Sequence, residues 1–507
     1  MKSQTEVELK FLVPALARAG VLAEMTRGTA TLRRTSLAAR YLDTEDRRLA
    51  RQGMAWRLRR EGRRWIQTLK ASGTNALERF EHEVPRPSAS HDASEHAGTP
   101  AGDQLIALLR RAHADGVEPG VRFQTEVRRT TRKIRTRAAF VEIAFDEGRL
   151  TAAAATARVR EIEFELVSGS VTAMLALAER WRKRFGLIYD PRSKAERGDQ
   201  LAEGLRFPPL RRANRPKYAG DALATEAFRS VVDECLAQIT RNAIVLIEGD
   251  PTLRVEHVHQ LRVGIRRMRS ALRSFRGWVP PPPADLVEGL RRLFAMLGMA
   301  RDRDVLGSGV AAELAESGAP PLALPTGAAG PDPVDVVRAD GTQRLFLAWL
   351  AWRAALGQAP PTSDPPGDDV PAFRRSVQQR LRRWHRRLVA DWHSFDELDE
   401  AQLHALRKRT KRQRYAVEFF APLLRRRKVE RYLTVLTAFQ DRMGELNDLF
   451  VARARYQSFV ASEPAAWFAL GWLAARIAEV RALAKPALGR LADVDPPRGR
   501  APVSRPE

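Results

Sequence analysis

The sequence holds one cysteine, Cys235, among 507 residues. A disulfide framework and a cysteine-based zinc site are therefore excluded. Long apolar runs are missing as well. The most apolar stretch, Ala465–Ala475, falls far short of the ~18 residues a membrane span needs. No apolar signal core occupies Met1–Lys10, so the expectation is a soluble, reducing-compartment, cytoplasmic protein. Acidic residues are in deficit: Asp plus Glu is 61 against 86 for Lys plus Arg, a formal charge of +25. That surplus calls for an anionic partner, whether nucleic acid, a phosphate-rich molecule or polymer, or an anionic surface. Hydrophobic residues reach 44%, enough to bury a core, and the length suggests two to four domains.

Two regions differ in pattern. Up to about Leu205, short runs alternate between apolar and charged residues: Glu6–Phe11, Ala55–Arg59, Trp65–Lys70, Arg79–Val84, Ala139–Asp146 and Glu161–Val167. Such alternation predicts strands. Helical patches lie between them near Asp103–Ala114 and Val171–Phe185. From Asp221 onward the period is helical, over Leu223–Ile247, Arg254–Phe275, Leu286–Met299, Phe373–Trp392, Ala401–Phe420 and Val429–Tyr456. The fold class expected is α+β, with a domain at 1–205, a proline-rich basic linker at 206–218, an all-α domain at 219–490 and a disordered tail at 491–507. Gly318–Pro333 and Gln358–Val370 read as loops or insertions.

Alternate residues of a strand share a face. Glu6, Glu8 and Lys10 then oppose Val7, Leu9 and Phe11. Arg57 and Arg59 oppose Trp56 and Leu58. Arg79, Glu81 and Glu83 share a face; Glu142 and Asp146 oppose Val141, Ile143 and Phe145; Glu161, Glu163 and Glu165 oppose Ile162, Phe164 and Leu166. One such strand is an ordinary sheet with a solvated face. Several, with faces almost purely Arg/Lys or Glu/Asp, predict a closed barrel with a charged, wet lumen. Basic residues there would hold a polyanion, and clustered carboxylates a hard divalent cation. Phosphoryl transfer uses that pairing.

The helical region repeats itself. His259-x-x-Arg262-x-x-x-Arg266-Arg267-x-Arg269 returns as His404-x-x-Arg407-x-x-x-Lys411-Arg412-x-Arg414, at an offset of 145 residues. Leu297-Gly298…Asp302 likewise returns as Met443-Gly444…Asp448. Ordered matches at nearly one spacing predict a duplicated helical unit. A single basic helix is commonly a solvated face, but two equivalent stripes, each opened by a histidine, point to an anion groove. No further His or Cys stands at zinc-ligand spacing.

The N-terminal residues resemble the CYTH superfamily of triphosphate tunnel metalloenzymes. Glu6-x-Glu8-x-Lys10 matches the family's opening signature. Tyr41-Leu-Asp43-Thr44, Arg57-x-Arg59, Gln67-x-x-Lys70, Glu161-x-Glu163-x-Glu165 and Ser193-Lys194-x-Glu196-Arg197-Gly198 follow in the family's order. The resemblance implies an eight-stranded antiparallel tunnel that hydrolyses inorganic triphosphate to pyrophosphate and phosphate with Mg²⁺ or Mn²⁺. By it, Lys10, Arg57, Arg59, Lys70 and Lys194 bind phosphate, with a further arginine expected in Thr125–Arg132, where alternation leaves Arg128 and Arg129 open and Arg129 is preferred. Glu6, Glu8, Glu163 and Glu165 hold metal; Glu6, Glu8, Glu142 and Asp146 serve catalysis. The helical repeats resemble CHAD, the conserved-histidine α-helical domain. This implies two related four-helix units that bind inorganic polyphosphate through His259, Arg262, Arg266, Arg269, His404, Arg407, Lys411 and Arg414. Asp302, Asp304 and Asp448 would orient arginines. Association with polyphosphate granules follows from the same resemblance. Alternatives are a non-catalytic polyphosphate-binding or targeting protein, and hydrolysis of thiamine triphosphate or nucleotides. No RNA-recognition or zinc-finger signature is present, so neither a specific nucleic acid nor a membrane is expected as partner.

Overall fold

The computed structural model describes residues 5–28, 31–73, 75, 77–308, 310–320, 330–356 and 370–498, with the backbone alone for 299–308. Most of the two expected insertions, the end of the tail, and the side chains of Asp302 and Asp304 lie outside the described residues. Contacts divide the chain into two units. One comprises Met1–Arg212, Leu236–Leu261 and Val337–Gln358; the other comprises Ala213–Cys235, Arg262–Val336 and Ala359–Glu507.

The first unit is built on a closed antiparallel barrel. Its strands are β1 (Thr5–Leu12), β2 (Arg33–Asp43), β3 (Met54–Glu61), β4 (Arg64–Ser72), β5 (Glu78–Arg86), β6 (Gly120–Arg135), β7 (Ala139–Ala152) and β8 (Ala155–Gly169). They run in the order β5-β4-β3-β2-β6-β7-β8-β1, and β1 closes on β5. A short β9 (Ile188–Tyr189) pairs with β1. The expected α+β class with an eight-stranded tunnel is what forms.

The outward residues explain the closure. Leu9, Phe11, Val141, Ile143, Phe145, Ile162 and Phe164 are almost fully buried. Phe164 meets Phe11 at 5.8 Å and Trp181 of the helix Val171–Phe185 at 5.9 Å. Leu105 of the helix Pro100–Ala114 covers Trp56 and Leu69. Each such apolar side chain contributes about 1.5–3 kcal/mol on burial. The barrel's outside is thus its core, and its charged faces have nowhere to point but inward.

One sector of the lumen is nevertheless apolar. Leu37, Ala39, Tyr41, Phe123, Val127, Leu150 and Val159 pack together there, with Ala195 and Leu201 of the helix Lys194–Ala202 against them. Tyr41 and Phe123 stack at 4.4 Å. The expectation of charges along the whole inner wall is corrected at this sector, where the helix replaces water.

The remaining chain is helical. Among the described residues, helices of sixteen residues or more fall as four before residue 356 and four after residue 369: Ala224–Glu248, Arg254–Ser274, Ala284–Ser308 and Asp340–Ala355, then Val370–Val389, Glu400–Phe420, Arg426–Gln457 and Ala466–Ala492. In the second unit Phe275 packs with Phe228, Phe373 and Phe420. No described helix is long and apolar enough to cross a membrane.

Candidate active site

Strand register brings the charged residues together. Glu8 stands opposite Glu165 and Lys10 opposite Glu163 across β1 and β8. Glu142 is paired with Glu165 across β7 and β8, Arg129 with Asp146 across β6 and β7, and Lys70 with Glu81 across β4 and β5. These side chains border a cavity of ≈ 1080 Å³ that is lined by Glu6, Glu8, Lys10, Arg57, Arg59, Lys70, Arg129, Glu142, Glu163, Glu165 and Lys194. Asp146 lies behind that wall, fully buried. Arg128 points the other way, two-thirds exposed beside Glu147.

Two carboxylate groups differ in how their charge is met. The first is Asp146, Glu161 and Glu163, whose oxygens lie within 4.8 Å of one another. Lys194 Nζ sits 2.7 Å from Asp146, 2.5 Å from Glu161 and 2.8 Å from Glu163. Arg129 Nη2 reaches Asp146 and Glu163 at 2.6 Å each, and Arg197 reaches Glu161 at 3.1 Å. Three cations therefore balance three buried anions. Burial alone would raise the Asp146 and Glu163 carboxyls, but Lys194 and Arg129 outweigh it and hold both below the usual range, Glu163 far below. A metal ion there would have to displace a cation.

The second group is Glu6, Glu81, Glu142 and Glu165. Burial, then repulsion from Glu6, pushes Glu165 up to about 7, and Glu142 and Glu81 add to the effect against Lys70. Burial likewise raises Glu6 despite Lys70 at 2.5 Å. Like charges held this close favour a bound cation. Glu8 stands nearby with Arg79 at 3.3 Å; burial pushes it up, but Lys70 and Arg79 hold it below its ordinary value.

Among the lumen cations Arg59 is strained in the opposite sense. Burial and then Arg57 depress the Arg59 guanidinium, with Glu83 at 3.3 Å and Glu61 in partial compensation and Arg129 adding repulsion. The Nε atoms of both Arg57 and Arg59 are buried without a hydrogen-bond partner. Lys10 is only 4% exposed. An anion along this wall would relieve repulsion and satisfy donors together.

The segment Ser193–Gly198 is explained residue by residue. Ser193 caps the helix by accepting from the Glu196 N–H at 3.0 Å, and Lys194 enters the lumen. Arg197 answers Glu161. Gly198 lies against Phe123, where a Cβ would come within 2.2 Å of ring carbons. Sequence reading left Arg79, Glu81, Glu83, Glu161 and Arg197 without a role. Their alternation was visible, but their partners were not.

In the second unit, Arg262, Arg266 and Arg269 gather around the Phe294 ring, with guanidinium carbons at 4.4, 5.6 and 5.9 Å from its centroid. Arg262 Nη1 fills the space a side chain at Gly298 would need, at 2.6 Å from the built Cβ. This gives the Leu297-Gly298 motif a steric reason. Burial, then Arg273, Arg291 and Arg266, depress the Arg269 guanidinium; burial, then Arg273 and Arg409, depress Arg412. Arg273 thus stands between the basic residues of the two repeats. Arg414 is differently placed: it donates to Glu418 at 2.9 Å, and Arg267 pairs with the same carboxylate. His404 Nδ1 meets Asn447 Oδ1 at 3.0 Å, and Asn447 donates to Asp448 at 3.2 Å. His259 belongs to the helix Arg254–Ser274 with Arg262, and Arg407 and Lys411 to Glu400–Phe420 with Arg414.

Comparison with known proteins gives two family matches: a CYTH domain over residues 4–198 and a CHAD domain over residues 230–457. An inorganic triphosphatase from Haemophilus influenzae is 29% identical over 163 residues, which is 31% of this chain and 44% of that protein. The chain therefore spans less than half the length of that relative. Among solved structures, the CHAD domain from the plant Ricinus communis is 30% identical, with 58% of this chain and 99% of that one covered at a TM-score of 0.46. A putative adenylyl cyclase from Hippeastrum, described as having a dominant triphosphatase activity, is 18% identical over 40% of this chain and 98% of that one, at a TM-score of 0.26.

Proposed function

We propose, from the premise that this chain joins a CYTH domain to a CHAD domain, that it hydrolyses inorganic triphosphate to pyrophosphate and phosphate in the barrel and binds inorganic polyphosphate through its basic helices. The observation that carries the catalytic half is the lumen itself: crowded cations, with Arg59 depressed among them, and crowded, proton-retaining carboxylates line one cavity.

Lys10, Arg57, Arg59, Lys70, Arg129 and Lys194 bind the phosphate oxygens in this reading. Arg57 and Arg59 do so with donors that no protein group uses. The carboxylates fit a hard divalent cation, and Glu6 and Glu165, with Glu8 and Glu142 beside them, suit it better than the cation-balanced trio. Glu163 borders both groups, as its influence on Glu8 and its bonds to Lys194 and Arg129 indicate. When bound, Mg²⁺ or Mn²⁺ supplies Lewis acidity to the phosphate oxygens and shields the bridging charge. Asp146 is committed to Arg129 and Lys194, so it positions cations. Glu142, whose nearest cation is Lys133 at 3.4 Å, keeps acceptor capacity to orient the attacking water.

The helical half rests on the arginines around Phe294 and on repulsion between Arg269, Arg273 and Arg412, which a polyanion would relieve. Association with polyphosphate granules belongs to the same reading. The test is phosphate release from triphosphate with Mg²⁺, Mn²⁺ or EDTA, run beside ATP and thiamine triphosphate. Metal-dependent release from triphosphate alone is expected. No release from any substrate by folded protein would refute the catalytic half and leave a polyphosphate-binding protein. Competition between polyphosphate and DNA at matched phosphate concentration tests the helical half.

A further inference from the structure

We infer that Leu236–Glu248, the later part of the helix Ala224–Glu248, is part of the tunnel's working structure, with Arg241 acting through Glu196 as a positioning residue for Lys194. This rests on the triphosphatase reading above. Residues 236–261 belong to the same compact unit as the barrel, so these contacts lie within one unit.

Arg241, Ile244, Val245 and Glu248 fall three, four and seven apart and share a helix face. Ile244 and Val245 pack with Leu12 of β1 and Ile188 of β9. At either end of that apolar contact, an ion pair grips the segment carrying Lys194. Glu248 accepts from Arg192 Nη2 at 2.5 Å, and Arg192 holds both oxygens of Asp190 at 2.8 Å. Arg241 spans both oxygens of Glu196, one of them at 3.0 Å. Glu196 lies in the first turn of the helix that Lys194 opens. Arg241 also lines the cavity.

The start of that helix is restrained by the Ser193 cap and the Arg241 fork, and Arg197 closes the turn on Glu161. The rest of the helix is held elsewhere, by Arg47 on Asp199 at 3.1 Å and by Gly198 against Phe123. Loss of Arg241 would thus leave the helix docked but its first turn loose. Lys194 balances three carboxylates at 2.5–2.8 Å, so a small displacement both unbalances that cluster and misplaces a cation aimed at the substrate. Misplacement of about 1 Å can cost up to about a hundredfold in rate.

The experiment uses the full chain with Arg241→Gln, Arg241→Lys, Glu196→Gln and the double Gln variant. Triphosphate kinetics and thermal unfolding are measured on each. Arg241→Gln and Glu196→Gln are each expected to lower kcat about tenfold and to weaken triphosphate binding by a smaller factor, about threefold in KM. The double variant should be no worse than either single one, since partners in one interaction are non-additive. Arg241→Lys should recover most of the rate. A folded Arg241→Gln with kcat within twofold of the parent, or losses that multiply in the double variant, overturns the inference. If Arg241→Gln does not fold, Glu196→Gln carries the same test on the other partner. If the parent releases no phosphate, the functional reading fails separately. Calorimetric binding of triphosphate then decides: equal affinity in parent and Arg241→Gln rejects the positioning role, and weaker affinity in the variant upholds it.

Discussion

Replacing Lys194 by Met should be the most damaging single change in the barrel. Its ammonium lies 2.5–2.8 Å from three carboxylates, of which Asp146 and Glu161 are fully buried. Met keeps the side chain's length and removes only the charge, leaving three anions to Arg129 and Arg197. Removing one partner of a buried ion pair costs about 3–5 kcal/mol. For a unit of this size each kcal/mol moves the unfolding midpoint by about 2–4 °C, so a fall of about 10 °C is expected at pH 7.5. The pH dependence has a definite sign. The Glu163 carboxyl is held well below its ordinary 4.5 by Lys194 and Arg129, against burial. A depressed carboxyl contributes stability that is present above 4.5 and lost as pH falls through the folded value. Without Lys194 that contribution shrinks, so parent and variant should differ most at pH 7–8, and the difference should narrow as pH falls below 4.5 towards the folded value. Thermal unfolding of both full-length proteins in EDTA, across that range, is the assay. A fall of less than about 2 °C at pH 7.5, or a difference that does not narrow as pH falls below 4.5, would refute the charge-balance argument.

Glu165→Gln should act in the opposite direction. Its carboxyl rises from 4.5 to about 7, so ionisation costs the folded state stability as pH climbs through that interval; in EDTA the variant should gain about 1–2 kcal/mol at pH 8 and nothing at pH 4.5, and an unchanged midpoint at pH 8 would contradict this. Added Mg²⁺ should stabilise the parent and narrow the gap. Gly198→Ala places a methyl 2.2 Å from the Phe123 ring, which Tyr41 holds by stacking; a loss of about 1–3 kcal/mol is expected, and a neutral result in thermal unfolding would mean the helix can shift. Glu8→Ala or Glu163→Ala should abolish hydrolysis and spare polyphosphate binding, while His259→Ala with Arg262→Ala should do the reverse. Loss of both activities in either folded variant would defeat that division of labour.

Much of the barrel was legible because the alternation along its strands is chemically pure. Glu6/Glu8/Lys10 against Val7/Leu9/Phe11 leaves one plausible wall and one plausible core. The apolar lumen sector was not legible. Leu37, Val127, Leu150 and Val159 follow the same alternation, and only the Lys194–Ala202 helix filling the space makes them interior. Parity alone could not choose between Arg128 and Arg129, since both are arginine; the register with Asp146 separates them. The balance of Asp146, Glu161 and Glu163 by Lys194, Arg129 and Arg197 joins four separate segments, and no local pattern encodes it. The same is true of residues 236–261 grouping with the barrel. In the helices the repeated stripe showed which residues share a helix face. It could not show that Glu418 claims Arg414, because that acid follows the motif rather than standing in it.

The ring closes through its first strand. β1 bonds on one side to β5 and on the other to β8, so the opening residues must wait for most of the first two hundred before both neighbours exist. Non-local pairing of this kind slows folding, because chain entropy is lost before contacts compensate. It also means that Glu6, Glu8 and Lys10 meet Glu163 and Glu165 only when β8 arrives, and like charges are then forced together. A divalent ion or a short phosphate chain present at that moment would favour the closed ring by mass action. The ligands of this tunnel would then act during its biosynthesis as well, as templates for a barrel whose last seam is its own binding site.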